Sequence, residues 1–250
     1  MIDVDRQVEE AVTALDLDSL RRDYLENDEF VYLERFLPEP LLNQWNSEAD
    51  ATKSRIHRNY VPGKKKGGSV GFDTLETLAP TIRDVYRSPT FLRFIRELVG
   101  ASVQVCPPED LHACALYCYT EPGDHIGYHY DKSYYLDRRY TVLIGVRDSS
   151  ASKLVYQLHT RNANHGVEKG EVSTGPGCLV VFNGDKLLHK VTPLGDGEER
   201  VVVTMEYVTN PEMNRFLRFV SNMKDAIAYF GFRKVFRGAR RTPQPVDVVR

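Results

Sequence analysis

The stretch CLVVFNGDKLLHKVTPLGDGEERVVVTMEYVT, residues 178–209, carries the pattern that decides the fold. It holds three runs rich in β-branched and aromatic residues, 178–184, 189–194 and 200–209. Between them lie the turn formers Asn183-Gly184-Asp185 and Gly195-Asp196-Gly197, which leave no room for a helix. Strands joined by connections this short pair antiparallel. Working toward the N-terminus, the pattern repeats in SVQVC, HACALYCYTE, GYHYD, YTVLIGVRD, KLVYQLHT and EVSTG. Further turn chemistry sits at 121–124, 148–150 and 175–177. Short strands over 103–209, without intervening helices, predict an antiparallel double-sheet barrel of the jelly-roll type.

The flanks read differently. In 5–26, Val8, Val12, Leu15, Leu17 and Leu20 recur at roughly helical spacing. After the apolar piece FVYLERFL, Pro38 and Pro40 punctuate the start of another helix. Residues 80–100 predict two helices broken at Ser88-Pro89, the second closing on Gly100. Residues 211–236 return to helical spacing, and 238–250 read as a frayed basic end. The segment RIHRNYVPGKKKGGSVGF, 55–72, reads as a loop because of Pro62, Gly63, Gly67 and Gly68. Its run Lys64-Lys65-Lys66 predicts a solvated turn, or else a lid hinged on the glycines. The chain therefore divides, within one domain of 1–250, into a helical region 1–102 with a candidate lid at 55–72, a jelly-roll core 103–209, and C-terminal helices and tail 210–250. The fold class is mainly β, its core braced by N- and C-terminal α-helices.

Composition narrows the function. With 42% hydrophobic and 27% charged residues, the chain can bury a sizeable core. The charge balance, 33 Lys+Arg against 35 Asp+Glu, lacks the basic excess of a nucleic-acid binder, so the expected partner is a small molecule or another protein. No apolar run reaches membrane-spanning length. The start MIDVDRQVEE is acidic and without an apolar h-region, so no secretory signal is expected. Cys106, Cys114, Cys118 and Cys178 show no CxxC pairing, which predicts buried reduced thiols in a cytoplasmic protein. Oligomeric state is not legible.

The chemistry concentrates in a few residues. His129-Tyr130-Asp131 ends a short strand, and residues two apart on a strand project to one face, so an imidazole and a carboxylate converge. His189, opening the run HKVTPL, supplies a third ligand from another strand. Two histidines and a carboxylate on one face of a metal leave positions open, which suits non-haem iron(II). Without further context a strand histidine is a satisfied structural residue. The context is Arg200, an arginine entering an apolar strand, which needs an anionic partner. A carboxylate held bidentately fits, whereas a rim arginine would pair with Glu198 or Glu199 instead. His112, His125, His159 and His165 show no pattern beyond turn or strand surfaces.

On GYHYD, GPGCLVVFNGDKLLHKV and ERVVVTMEY, residues 112–209 resemble the double-stranded β-helix (cupin-like) core of the iron(II)/2-oxoglutarate-dependent oxygenases. The helical flanks and the HRNYVPG segment resemble small bacterial hydroxylases and halogenases of free amino acids, lysine-type enzymes among them. The resemblance implies Fe(II) on His129, Asp131 and His189, 2-oxoglutarate held by its far carboxylate on Arg200, and O2 as oxidant. It further implies hydroxylation of a C–H bond, with release of succinate and carbon dioxide. Many members carry Arg-x-Ser at the cosubstrate arginine; here Val202 takes the serine position, and Tyr117 or Tyr119 is the candidate replacement contact. Radical halogenases replace the metal-binding carboxylate with a small residue, so Asp131 favours hydroxylation.

Substrate signals are thinner. Alternation places Arg200, Val202, Thr204 and Glu206 on one face, so Glu206 would meet a substrate amine or an internal Lys/Arg. Arg58 could meet a substrate carboxylate, and both together would suit an amino acid. The alternatives are desaturation or cyclisation by the same machinery, its use on a protein side chain, or a non-catalytic jelly-roll module with structural histidines.

Overall fold

The computed structural model describes residues 2–212. The helical reading of 213–236 and the basic tail lie outside the described residues. The N-terminal half carries α1 (Val4–Thr13), α2 (Leu17–Glu26), β1 (Phe30–Leu33), α3 (Glu39–Thr52), β2 (His57–Val61), β3 (Lys65–Val70), α4 (Phe72–Leu78), α5 (Pro80–Arg87) and α6 (Pro89–Val99). The core follows with β4 (Gln104–Val105), β5 (Cys114–Tyr119), β6 (His125–His129), β7 (Arg139–Asp148) and β8 (Leu154–Leu158). It closes with β9 (Glu168–Val172), β10 (Leu179–Asn183), β11 (Leu188–Val191) and β12 (Arg200–Val208). None of the described helices is long and apolar enough to cross a membrane.

The strands pair antiparallel in the order β1-β10-β7-β12-β5-β3-β6-β11-β8-β9, with β2 on β3 and β4 on β12. This sheet rolls into the near-closed jelly-roll barrel expected from the strand pattern. Side-chain alternation sorts its residues into two cores. Val201, Val203, Met205 and Tyr207 of β12, with Cys114, Leu116 and Cys118 of β5, face the helices. Val202, Leu143, Val180, Phe182 and Tyr119 face the barrel interior. Arg200, Thr204 and Glu206 share the parity of Val202 and therefore point inward too. All four cysteines are buried and free, as their spacing predicted.

The helices pack behind the sheet face that carries β12 and β5. Ser88 caps α6 by accepting from the Phe91 N–H, and Gly100 closes it at φ 66°, as expected. The stretch 5–26 is two helices rather than one, because Asp16 accepts from the Ser19 N–H and starts α2. α5 lacks a side-chain cap of its own. Buried Glu48 of α3 takes that role, accepting from Thr81 N (2.9 Å), Ile82 N (3.1 Å) and the Thr81 hydroxyl.

Two departures concern the 55–72 segment. It is a β-hairpin joined to the sheet and not an irregular loop, for β2 pairs with β3, and β3 with β5 and with β6. Its glycines serve close approach: a Cβ at Gly68 would stand 2.5 Å from Ile56 Cγ2 and 3.1 Å from the Cys118 carbonyl. Lys65, expected in a solvated turn, is 3% exposed, its ammonium 5.0 Å from the centre of the Tyr117 ring. Replacing Glu48 with alanine strands two helix N–H groups and lowers stability by about 2–3 kcal/mol. That loss will be read as a lower urea midpoint with an unchanged slope.

Candidate metal and cosubstrate site

β6 and β11 are neighbours, and their register sets His129 directly opposite His189. The ring centroids lie 4.2 Å apart, and Phe182 packs edge-on against His189 at 4.9 Å. Asp131, two residues beyond His129, completes the group. Its Oδ1 is 3.4 Å from His129 Nε2 and its Oδ2 3.8 Å from His189 Nε2. One ligand atom from each residue falls within 4.8 Å of the other two. Three ligands on one face of an octahedral ion stand ~3 Å apart, so a small contraction suffices.

Both imidazoles are oriented for ligation. His129 Nδ1 donates to the Gly127 carbonyl (2.9 Å) and His189 Nδ1 to the Leu187 carbonyl (3.2 Å). With Nδ1 protonated, the Nε2 lone pair faces the site. Burial, and then the neighbouring His129, lower the His189 pKa to about 4, so this ring is neutral at pH 7. Burial pushes the Asp131 carboxyl up, but His189, His129 and Arg139 outweigh it and hold the group well below its ordinary value. The Thr141 hydroxyl lies 3.1 Å from Asp131 Oδ2 and 3.0 Å from Glu206 Oε2. Gly184 leaves the space that Asp131 occupies: a Cβ there would stand 2.4 Å from the Asp131 carbonyl oxygen.

These residues line a cavity of about 450 Å³, a small-molecule volume, which Arg200 also lines. Arg200 is completely buried. Its Nε donates to Thr174 Oγ at 2.6 Å, and its guanidinium carbon lies 5.1 Å from the centre of the Tyr119 ring. Its two terminal nitrogens meet no acceptor among the described residues. A buried guanidinium with two free donors is built for a carboxylate. A dicarboxylate reaching from the His/Asp face to Arg200 fits these donors.

The remaining candidates divide. Tyr117 and Tyr119 both face inward and line the cavity, Tyr117 with its hydroxyl 3.0 Å from His112 Nδ1. Thr204 and Glu206 line it as well, and Glu206 meets Arg139, whose Nε is 2.6 Å from Oε2. Burial works against the Arg139 charge, but Glu206 more than offsets it and holds the guanidinium well above its ordinary pKa. Arg58 does not reach the cavity lining. Its guanidinium is clamped on the carboxylate of Asp124 at 2.8 and 2.7 Å, with Glu121 at 2.9 Å, so the expected contact with a substrate carboxylate is not supported by its position. Arg139, Thr141 and Thr174 were missed by sequence reasoning. Arg139 and Thr141 share one parity on β7, but only the pairing register reveals that this parity faces inward.

Barrel, triad and buried arginine together define the fold class of the iron(II)/2-oxoglutarate oxygenases. The family model described as "HalD: Halogenase D" matches residues 12–227, and the chain belongs to that family. Among solved structures it is similar to the α-ketoglutarate-dependent carbocyclase SnoK of nogalamycin biosynthesis (TM-score 0.65, 13% identity, 94% of this chain and 95% of that one). It is also similar to the epimerase SnoN of the same biosynthesis (0.64, 14%, 81% and 88%). A third likeness is to a prolyl-4-hydroxylase from Pseudomonas putida (0.58, 18%, 77% and 97%). No curated protein matches the chain at the sequence level.

The depressed pKa of His189 sets a sign for metal-free protein. Below about pH 6.5 the unfolded chain gains a proton that the folded ring refuses until about pH 4. Stability is therefore complete above pH 6.5 and falls as pH drops toward 4, by on the order of 3 kcal/mol. Urea titrations at several pH values check this, and a His189→Gln variant will lose less over the same window. At Gly184, alanine displaces Asp131 and weakens metal affinity by about tenfold or more, measurable by competition with a chelator.

Proposed function

We propose that this chain is an iron(II)- and 2-oxoglutarate-dependent hydroxylase of a small molecule, with a free amino acid as its substrate class. The observation that carries the reading is the carboxylate of Asp131, set between His129 and His189 and steadied by Thr141. Membership of a family described by halogenation makes that carboxylate decisive. It occupies the metal position that a halide would otherwise need, so oxygen rather than chlorine is transferred to the substrate. Bound iron supplies the activation of oxygen, with 2-oxoglutarate as the two-electron reductant that leaves as succinate and carbon dioxide.

The protein's own part is binding, orientation and exclusion of water. Arg200 takes the far carboxylate of the cosubstrate, and Tyr119 walls its guanidinium from solvent. Val202, two residues on, offers no hydroxyl, leaving the guanidinium as the main polar anchor on that strand. Arg139 and Glu206 pair with each other on the cavity wall, with Thr204 beside them, so Glu206 takes the internal partner and a zwitterionic substrate would have to engage that ion pair.

The test is iron(II)-dependent succinate formation with free amino acids supplied singly, chloride present throughout. One amino acid should stimulate succinate release, and mass spectrometry should find it gaining one oxygen and no chlorine. His129→Ala should abolish turnover. Arg200→Ala should raise the KM for 2-oxoglutarate about 100-fold or more, the loss expected for a buried charged contact. A chlorinated product would overturn the hydroxylase reading. Absence of iron binding would overturn the enzyme reading altogether.

A further inference from the structure

A second group of potential ligands stands outside the cavity, at the hairpin joining β8 to β9. We propose that His159, His165 and Glu168 form a second metal site, one that takes a divalent ion of the zinc type and staples this hairpin. Their ligand atoms all lie within 4.8 Å of one another. His159 Nε2 is 4.0 Å and His165 Nδ1 3.9 Å from the same oxygen, Glu168 Oε1. The two imidazoles stack with centroids 3.8 Å apart.

The backbone brings the group together. Leu158 pairs with Glu168 across the ladder, so His159 leaves β8 beside the residue that opens β9. The turn then doubles back through Asn162 N to His159 O (3.0 Å) and His165 N to Asn162 O (3.2 Å), returning His165 over His159. His159 sits at φ 59°, in the left-handed region that costs an L-residue about 1 kcal/mol or more. Asp28 holds it there, accepting its N–H at 2.7 Å, and faces the other ring nitrogen, Nδ1, at 3.9 Å. Lys186 lies on the far side of Asp28, 3.7 Å from Oδ1, so that carboxylate is a shared support rather than a free ligand. His159 is nearly buried, whereas His165 and Glu168 are about half exposed and free to close in.

Two imidazoles and a carboxylate form a ligand set for zinc, with water in the fourth position. Tetrahedral bonds of ~2.0–2.1 Å would draw the ligand atoms to ~3.3 Å apart, a contraction of about 0.6–1.5 Å that the two half-exposed side chains would have to supply. Ligation by His165 through Nδ1 replaces its 3.3 Å contact with the Gly166 carbonyl. The site is distinct from the triad yet mechanically joined to it. The next two residues, Thr160 and Arg161, brace Tyr130, one by a 2.9 Å hydrogen bond from its hydroxyl and one by a cation 4.3 Å from its ring centre. Tyr130 lies between His129 and Asp131 and lines the cavity. An ion on the hairpin therefore steadies the outer wall of the first site.

Zinc alone, titrated into metal-stripped full-length protein against a chromophoric chelator, tests the proposal. With the triad removed by His129→Ala and His189→Ala, about one ion per chain should still bind, with a Kd below ~10 μM, and should raise the Tm. Adding His165→Ala should abolish both effects, and adding Glu168→Gln instead should weaken binding about tenfold. If the triad variant does not fold, the wild type should bind about two ions and His165→Ala about one. Binding weaker than ~10 μM, or the same stoichiometry and Tm gain with His165→Ala, would overturn the site.

Discussion

The guanidinium of Arg200 is charged and wholly buried, and among the described residues only its Nε finds a well-formed acceptor. Burying an unpaired charge costs several kcal/mol, so the fold carries a deficit that an anion would cancel. Much of the barrel's interior is arranged around that deficit. Thr174 fixes Nε, Tyr119 lies against the guanidinium, and β12 aims the side chain into the same cavity that holds the His/Asp group. Burial pushes its pKa down, but an arginine starts so high that it stays charged at any pH a cell reaches. The cavity thus has a permanent positive charge on one wall and the His/Asp group on another.

Parity explains what the sequence disclosed and what it withheld. Residues two apart on a strand share a face whatever the register, so Arg200 with Thr204 and Glu206 could be grouped from spacing alone, and Asp131, just past the end of β6, still falls beside His129. Which strands are neighbours is a long-range property, and it decides the partners. Glu206 meets Arg139 because β12 lies beside β7, and Thr141 reaches Asp131 from that same β7. The 55–72 segment misleads for a different reason. Glycine marks both mobile turns and places where two backbones nearly touch, and Gly68 against β5 is the second kind. Arg58 misleads in turn because its carboxylate partner, Asp124, lies 66 positions away in the chain.

Family and residue chemistry pull in different directions at one position. The family's description speaks of halogenation, while the carboxylate of Asp131 stands in the His/Asp cluster, which is the basis of the hydroxylase proposal. A scaffold hosts many reactions through small changes at its centre, so family membership does not by itself fix which reaction is run. Thr141 stands between two carboxylates, Asp131 and Glu206, and its hydroxyl is within hydrogen-bond reach of both.

The facing of His129 and His189 across β6 and β11 has a bearing on how the barrel assembles. One ligand comes from each strand, at directly opposed positions. Sliding β11 by a single step would present Leu188 or Lys190 instead, and the pair would be lost. An ion held by both histidines would therefore act as a proofreader of alignment, favouring the one pairing of β6 with β11 that sets them opposite each other. Strand pairing of this long-range kind is intrinsically slow, and here the correct register is the one that a bound ion would lock from within.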